Sequence, residues 1–507
     1  MPAEPTLRRA PRELSDALVS ARARFASASG VSGAAVAVGA GVREQARRRF
    51  VMVVIAVYLL AIFEGSIRKY VAPQFGQYIF FVRDPIVVYA FLLCTRHALW
   101  PRATPMFVAS VAIAVLGLFW FLLQSALGGF SDTRLLLGVY GWRSYFLYAP
   151  LAFAIGAQFD RTDLLRVARI TLRLTLPVAV LVAAQFFSPI DSVINVGIAA
   201  EKELQFSGLG LDAERVRATG PFTSGVGLQQ FVATAFAFVL AYAIRPAPKR
   251  GLGLAAVAVF AAATLSCIAL SGSRGTLLQC VLIGAGAIAF GLLARGAALK
   301  LKAVVVPLVL AAMAVALYPV LFPEGYAAFT NRWAAAATVE AGFQGGVIGR
   351  ALFGFIDFLR LFDAVPMLGY GLGYGGNASI LLHASVDGIE PGKLAETDFA
   401  RHMVDLGPVF GLGYIVFRLG FAAWLGRAVW AATRRTAEPL PMMLFAYAGY
   451  VVVIGQLTGH GSINVYGWLF AGFCLAACRG TPLAPAPSPR SAMPRALQAP
   501  RARMPWA

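Results

Sequence analysis

The stretch Arg47-Arg-Arg-Phe50-Val-Met-Val-Val-Ile-Ala-Val-Tyr-Leu-Leu-Ala-Ile-Phe63 decides the fold. Three arginines stop abruptly and fourteen residues follow without a charge, a glycine or a proline. With Glu64 to Ile67 added, the run over 50–67 approaches the ~20 residues that carry a helix across a bilayer. Runs of the same kind recur at 78–95, 104–126, 137–157, 167–187, 224–244, 252–271, 275–294, 303–322, 408–430, 441–458 and 463–478. The chain therefore reads as all-α, a polytopic membrane protein of about 12 transmembrane helices.

Composition agrees. Of 507 residues, 59% are hydrophobic and 13% charged, with mean hydropathy +0.71. A soluble domain carries about 25% charged residues, and half that cannot cover a globular surface. A soluble enzyme is excluded. The net charge of +20 invites a nucleic-acid reading, but the basic residues fall in short clusters between apolar runs, where they act as topology signals. Nucleic acid is excluded as a partner, and membrane lipid is the expected surrounding.

Orientation follows from those clusters. With the N-terminus in the cytosol, the even-numbered connections hold Arg96 and Arg102, then Arg161, Arg166 and Arg169. Next come Arg245, Lys249 and Arg250, then Arg295, Lys300 and Lys302, then Arg434 and Arg435. All land inside, as does the tail with Arg479, Arg490 and Arg495. Adding or losing one span breaks the agreement over half the chain, so both termini are expected in the cytoplasm. Residues 1–49 read as a disordered basic arm, 50–478 as the transmembrane domain and 479–507 as a disordered tail. Two long connections fall outside, at about 188–224 and about 323–405, the second with a helical pattern over Gly349–Phe362.

Several arginines lie on the outer side, where topology gives them no reason to be: Arg68, Arg134, Arg143, Arg215, Arg217, Arg274, Arg332, Arg350 and Arg360. Arg274 sits in Ser271-Gly-Ser-Arg-Gly275, between two spans with almost no loop. It reads either as an interfacial arginine that snorkels or as an anion-binding one helped by the amides of the following helix. Arg215 and Arg217 precede the Gly220-Pro221 turn; they read as loop charge paired with Asp212 and Glu214, or as a second anion contact. Paired guanidinium forks on neighbouring outer loops suit a diphosphate.

The large loop ends in Glu396-Thr-Asp398-Phe-Ala-Arg401-His402-Met-Val-Asp405-Leu-Gly407. Asp398 and His402 are one helical turn apart. The acids read as a helix N-terminus set against the dipole, or as a general base at the membrane surface. Glu64 with Arg68, and Arg83 with Asp84, read as an intramembrane charge network bracing the first two spans. Gly371-Leu-Gly373-Tyr-Gly375-Gly376 formally fits a dinucleotide fingerprint but lacks the flanking strand and helix. It reads as a turn that lets backbone approach something closely. Four scattered histidines and five cysteines in apolar runs suggest neither a metal site nor a disulfide framework, and no cofactor is expected.

The motifs resemble the O-antigen ligase/polymerase superfamily of WaaL-type ligases and Wzy-type polymerases. The matching pieces are Arg217-Ala-Thr-Gly-Pro-Phe222, Ser271-Gly-Ser-Arg-Gly275, Pro366-Met-Leu-Gly-Tyr-Gly-Leu-Gly373 and Leu406-Gly-Pro-Val-Phe-Gly411. They come in the expected order over about half the chain. Phe63-Glu-Gly-Ser-Ile-Arg-Lys69 with Phe80-Phe-Val-Arg-Asp-Pro85 is similar to exopolysaccharide polymerases. The resemblance implies a metal-independent membrane glycosyltransferase of GT-C type in the bacterial inner membrane, with its large periplasmic loop between helices 9 and 10. The donor it implies is an oligosaccharide on undecaprenyl diphosphate, whose diphosphate would be gripped by Arg217 and Arg274, with Arg215, Arg332 and Arg350 as further candidates. Other polysaccharide assembly proteins would be partners. In ligases a histidine stands eleven residues before the glycine matched by Gly407; here that position is Glu396, followed by Thr397. This favours a polymerase with Glu396 as base, and Asp398 and His402 as further catalytic candidates. A ligase to an acceptor such as lipid A-core, and a transporter or flippase, are the alternatives.

Overall fold

The computed structural model describes residues 33–79, 81–195, 216–246, 251–327, 329–331 and 353–480. Among them it is all-α; its nearest approach to a strand is the single bridge Val386–Ile389. The principal helices are α1 (Gly33–Ser66), α2 (Arg83–Arg96), α3 (Pro105–Leu127), α4 (Asp132–Trp142), α5 (Ala149–Gln158), α6 (Arg161–Phe187) and α7 (Gly225–Ile244). They continue with α8 (Leu254–Ser271), α9 (Arg274–Leu293), α10 (Ala297–Leu321), α11 (Asp398–Thr436), α12 (Leu440–Ile454) and α13 (Gly461–Cys478). Among the described residues, nine helices are long and apolar enough to cross a membrane. Shorter helices occupy the other three apolar stretches: α2, the pair α4 and α5 joined by the π-helical turn Arg143–Leu147, and α12. The protein is an all-α polytopic membrane protein.

Local chemistry sets the ends. Thr104 caps α3 through Phe107 N, with Pro105 in the first turn where its missing N–H costs nothing. Asp160 and Asp163 form a reciprocal capping box on α6. The first helix begins at Gly33, so residues 33–49 are helical, whereas the sequence assigned them to a disordered arm. The alanine-rich run favours helix, and Glu44 pairs with Arg47 (2.9 Å) and Arg48 (3.0 Å) one turn on. The rest of that arm, the tail from 481, and residues 196–215 and 332–352 of the two long connections lie outside the described residues.

Helices α7 and α13 form the centre, with 89% and 83% of their apolar windows buried. Helix α13 packs against α5, α12 and α11, and α7 against α6, α8, α9 and α12. At the periphery α10 buries only 6% of its window and turns Leu308, Val315 and Val320 outward, as a lipid-facing helix does. Polar groups gather at the two ends of the bundle. One end holds Arg47 on Asp163 (2.7 Å) and Arg245 on Glu438 (2.5 Å). The other, where α1, α6 and α8 finish and α7, α9 and α13 start, holds the site.

Candidate functional site

Two turns and the start of α11 build the site. The first turn carries Arg217. Its backbone has no regular structure through 216–219 and turns at Gly220, which has φ 58°. Gln185, buried on α6, accepts from Thr219 N (3.1 Å) and Gly220 N (2.7 Å) through one carbonyl oxygen. Lys69, buried in the π-helical turn Ile67–Val71 that follows α1, donates to Thr219 Oγ1 (2.6 Å), and Ser66 donates to Pro221 O (3.1 Å). The turn that presents Arg217 is thus fixed by side chains from two neighbouring segments, which pair the amides of Thr219 and Gly220.

The second turn carries Arg274. Helix α8 ends at Gly272 in the left-handed region, and Ser273 caps α9 by accepting from Thr276 N (3.3 Å). Arg274 is therefore the first residue of α9, at the positive end of the helix dipole. Arg217 and Arg274 line one half-open cavity of about 400 Å³, together with Gln229, Gln230, Gln279 and Asp398.

The third element is α11, which is not one rod. Gly407 has φ 76° and ψ 173°, a conformation that L-residues rarely adopt, and Pro408 follows. The 398–406 segment doubles back on the helix that continues from 408. At the crossing a Cβ on Gly411 would come within 2.6 Å of His402 O, so glycine permits the contact. The fold-back brings Arg418 to Asp398 (2.6 Å) and to His402 Nε2 (2.7 Å), all three buried. Because Arg418 can only donate, His402 Nε2 accepts, and Nδ1–H donates to the Tyr145 phenolic oxygen Oη (3.1 Å). Tyr145 in turn donates to Asp405 Oδ2 (2.9 Å), and Gly375 N donates to the other oxygen of Asp405 (2.6 Å).

Asp398 and His402 are therefore committed. Asp398 also accepts from Arg401 (2.9 Å) and from Thr458 Oγ1 (2.7 Å). It lines the cavity, but both its oxygens are engaged, and His402 has partners on both ring nitrogens. Glu396 contrasts with both. It is exposed, and among the described residues its carboxylate makes no hydrogen bond or ion pair. It stands beside the cavity: Thr397 and Gln456 both line it, and Gln456 donates to the Glu396 carbonyl (3.2 Å). The structure brings together Arg217, Arg274 and Asp398, with Glu396 adjacent and His402 behind. Arg215, Arg332 and Arg350 lie outside the described residues.

The glycine-rich stretch has a definite partner. Arg401 Nε donates to Gly375 O (2.7 Å), and Gln124 ties the stretch to the fold-back by donating to Leu368 O (2.5 Å) and Asp405 O (2.8 Å). It braces the doubled helix. Glu64 pairs with Arg68 (3.3 Å) and Arg83 (2.8 Å), joining α1 to α2, and Asp84 accepts from Arg143 and from Tyr148 (2.9 Å). The brace thus includes the turn between α4 and α5.

Arg418, Tyr145 and the cavity glutamines escape the sequence reading. Arg418 carried a signal, since a charge within an apolar run marks a buried partner. Its partner is hidden because a continuous helix would carry Asp398 far from it. Among the described residues no group of three His, Cys, Asp or Glu side chains could hold a metal ion. No protein-family model and no curated protein matches this chain.

Proposed function

We propose that this chain is a glycan polymerase of the O-antigen ligase/polymerase superfamily. It would join oligosaccharide repeats carried on undecaprenyl diphosphate at the periplasmic face of the bacterial inner membrane, as a metal-independent glycosyltransferase. One observation carries the reading: Arg217 and Arg274, on separate outer turns, line a single cavity. The twelve-span topology, with both termini in the cytoplasm and the large loop outside, is part of the same proposal. It is supported by the gathering of Arg47, Arg161, Arg245 and Arg479 at the bundle end opposite the cavity.

In this reading the acceptor hydroxyl oxygen attacks the anomeric carbon of the donor sugar. The bond from that carbon to the diphosphate oxygen breaks, and the electron pair leaves with the diphosphate. The two guanidinium groups stabilise the charge that develops there, in a cavity walled from bulk water on the bundle side. Glu396, exposed beside the cavity, takes or orients the acceptor proton. Asp398 and His402 hold the scaffold beneath it and do not exchange protons with substrate.

The test is polymer length in cells producing Arg217→Ala or Arg274→Ala protein at normal level. Long chains are expected to vanish while single repeats accumulate on the lipid. Unchanged polymer would overturn the assignment, and accumulation of unattached long chains would reassign the chain as a ligase.

A further inference from the structure

The floor of the cavity has a chemistry that diphosphate binding leaves unused. Gln279 is 2% exposed and lines the cavity, yet among the described residues its Oε1 has no hydrogen-bond partner. A buried carbonyl oxygen without a donor loses its hydration and regains nothing. Gln230 is engaged elsewhere, accepting from the Tyr447 hydroxyl (2.7 Å); Thr276 N is taken by the Ser273 cap, while the Thr276 hydroxyl is, like Gln279 Oε1, without a partner among the described residues.

Gln279 also stands in a telling place. It follows Arg274 by five residues on α9, about 7.5 Å along the helix axis at 1.5 Å per residue. Gln229, half-buried on α7, lies over the first turn of α9, where Ser273 Oγ is 3.5 Å from its Oε1; Gly275 leaves room, since a Cβ there would come within 2.7 Å of the same oxygen. The cavity therefore has two chemical levels. Arg217, Arg274 and Gln229 are partly exposed, whereas the amides of Gln230 and Gln279 are buried. Tyr450, Leu278 and Ile454 add apolar surface to the lining of the same cavity. Amides matched with an aromatic face suit an uncharged ring bearing hydroxyl or amide N–H groups. They do not suit a second phosphate, which would want more cations, or a polyprenyl tail, which would want no amides. The volume of about 400 Å³ is at the small end of ligand sites, so the floor takes a ring and not an oligosaccharide.

We propose that Gln279, with Gln229 lining the same cavity, contacts the sugar directly attached to the diphosphate and sets selectivity for that sugar through a hydroxyl or N–H donor. The inference rests on the lipid-diphosphate reading above and deepens it. A turn about the terminal torsion of Gln279, which is broad for a side-chain amide, presents Oε1 to the ring. The residue is a specificity determinant, with no part in bond making.

The experiment uses the full chain in nanodiscs and measures binding of undecaprenyl diphosphate alone and of the same lipid bearing N-acetylglucosamine, glucose or galactose. The expected result is that at least one glycosylated lipid binds roughly tenfold or more tighter than the bare lipid. Gln279→Leu should abolish that increment while leaving bare-lipid affinity unchanged. The variant should also melt no lower than the parent, because an apolar isostere removes an unsatisfied buried acceptor. An unchanged increment in Gln279→Leu, or no increment in the parent, overturns this inference alone. A clearly lower melting temperature overturns it as well, by showing a structural role. Failure of the parent to bind any of these lipids overturns it together with the functional reading.

Discussion

Arg418 Nη1 stands 2.6 Å from Asp398 Oδ2, although twenty residues separate them and a straight helix would place them about 30 Å apart. The contact exists because the helix doubles back at Gly407, and it anchors everything beside the cavity on that side. Arg418 also donates to Val452 O (2.9 Å) and Gly455 O (2.8 Å), tying the fold-back to the end of α12. One guanidinium thus joins the helix start, its continuation and the next helix.

Removing it should be costly. Arg418→Ala removes a charged donor from Asp398 Oδ2, His402 Nε2 and two carbonyls, a loss of about 3–5 kcal/mol by the usual cost of deleting one partner of a buried pair, with Arg401 and Thr458 still holding the other carboxylate oxygen. Thermal denaturation in detergent should show a large drop, with Arg418→Lys intermediate, since an ammonium cannot reproduce the planar fork. Adding Asp398→Asn to Arg418→Ala should cost less than the sum of the two single changes. A strictly additive double mutant would show that the pair is not coupled.

The hinge yields a second expectation. Gly407 holds a positive φ, and a Cβ there would overlap the Met367 carbonyl oxygen. Gly407→Ala therefore meets both strain and collision, and should destabilise by more than the ~1 kcal/mol of a simple left-handed substitution. Protein yield and melting temperature should both fall. Gly413, further along the same helix with open space around it, is the control: Gly413→Ala should be neutral or slightly stabilising. Equal behaviour of the two variants would count against the fold-back.

These residues also mark what the sequence can and cannot convey. Apolar runs locate the helices, since a stretch such as Phe50–Phe63 has one stable form in lipid. Arg274 was conspicuous because topology does not explain it. The apolar run that begins at 408 reads as the start of a span. What could not be read was the direction taken before it. Periodicity reports which face a residue occupies on a continuous helix and says nothing once the axis reverses. On a continuous helix Asp398 and His402 read as catalytic candidates one turn apart, whereas the reversal buries them against Arg418. Gln279 was silent for a different reason: a neutral amide in an apolar run breaks no rule of charge or period.

Glu396 and Asp398 should separate cleanly on substitution. Glu396→Gln changes an exposed carboxylate without partners among the described residues, so stability should hold while chain elongation falls by roughly 10²-fold or more if it is the base. Asp398→Asn weakens two buried ion pairs, so its melting temperature should drop, with elongation falling in proportion to folded protein. Melting curves and elongation assays on both purified variants read out the difference. A stable Asp398→Asn protein without activity, beside a fully active Glu396→Gln protein, would exchange the two roles.

Acid should loosen the site through His460. This residue lies between α12 and α13, in the turn whose Thr458 holds Asp398. Burial disfavours its imidazolium, and Arg401 repels it, which together outweigh attraction by Asp398; the ring titrates below its ordinary value. An unfolded chain takes up that proton at about pH 6.5. Between the two values the unfolded state binds more protons than the folded one, so stability rises with pH through this window and is lost as pH falls below about 6.5. The melting temperature should therefore decline from about pH 7.5 to about pH 5.5, and His460→Gln should flatten the decline, because its amide does not titrate. An identical decline in the variant would place the acid sensitivity in another group.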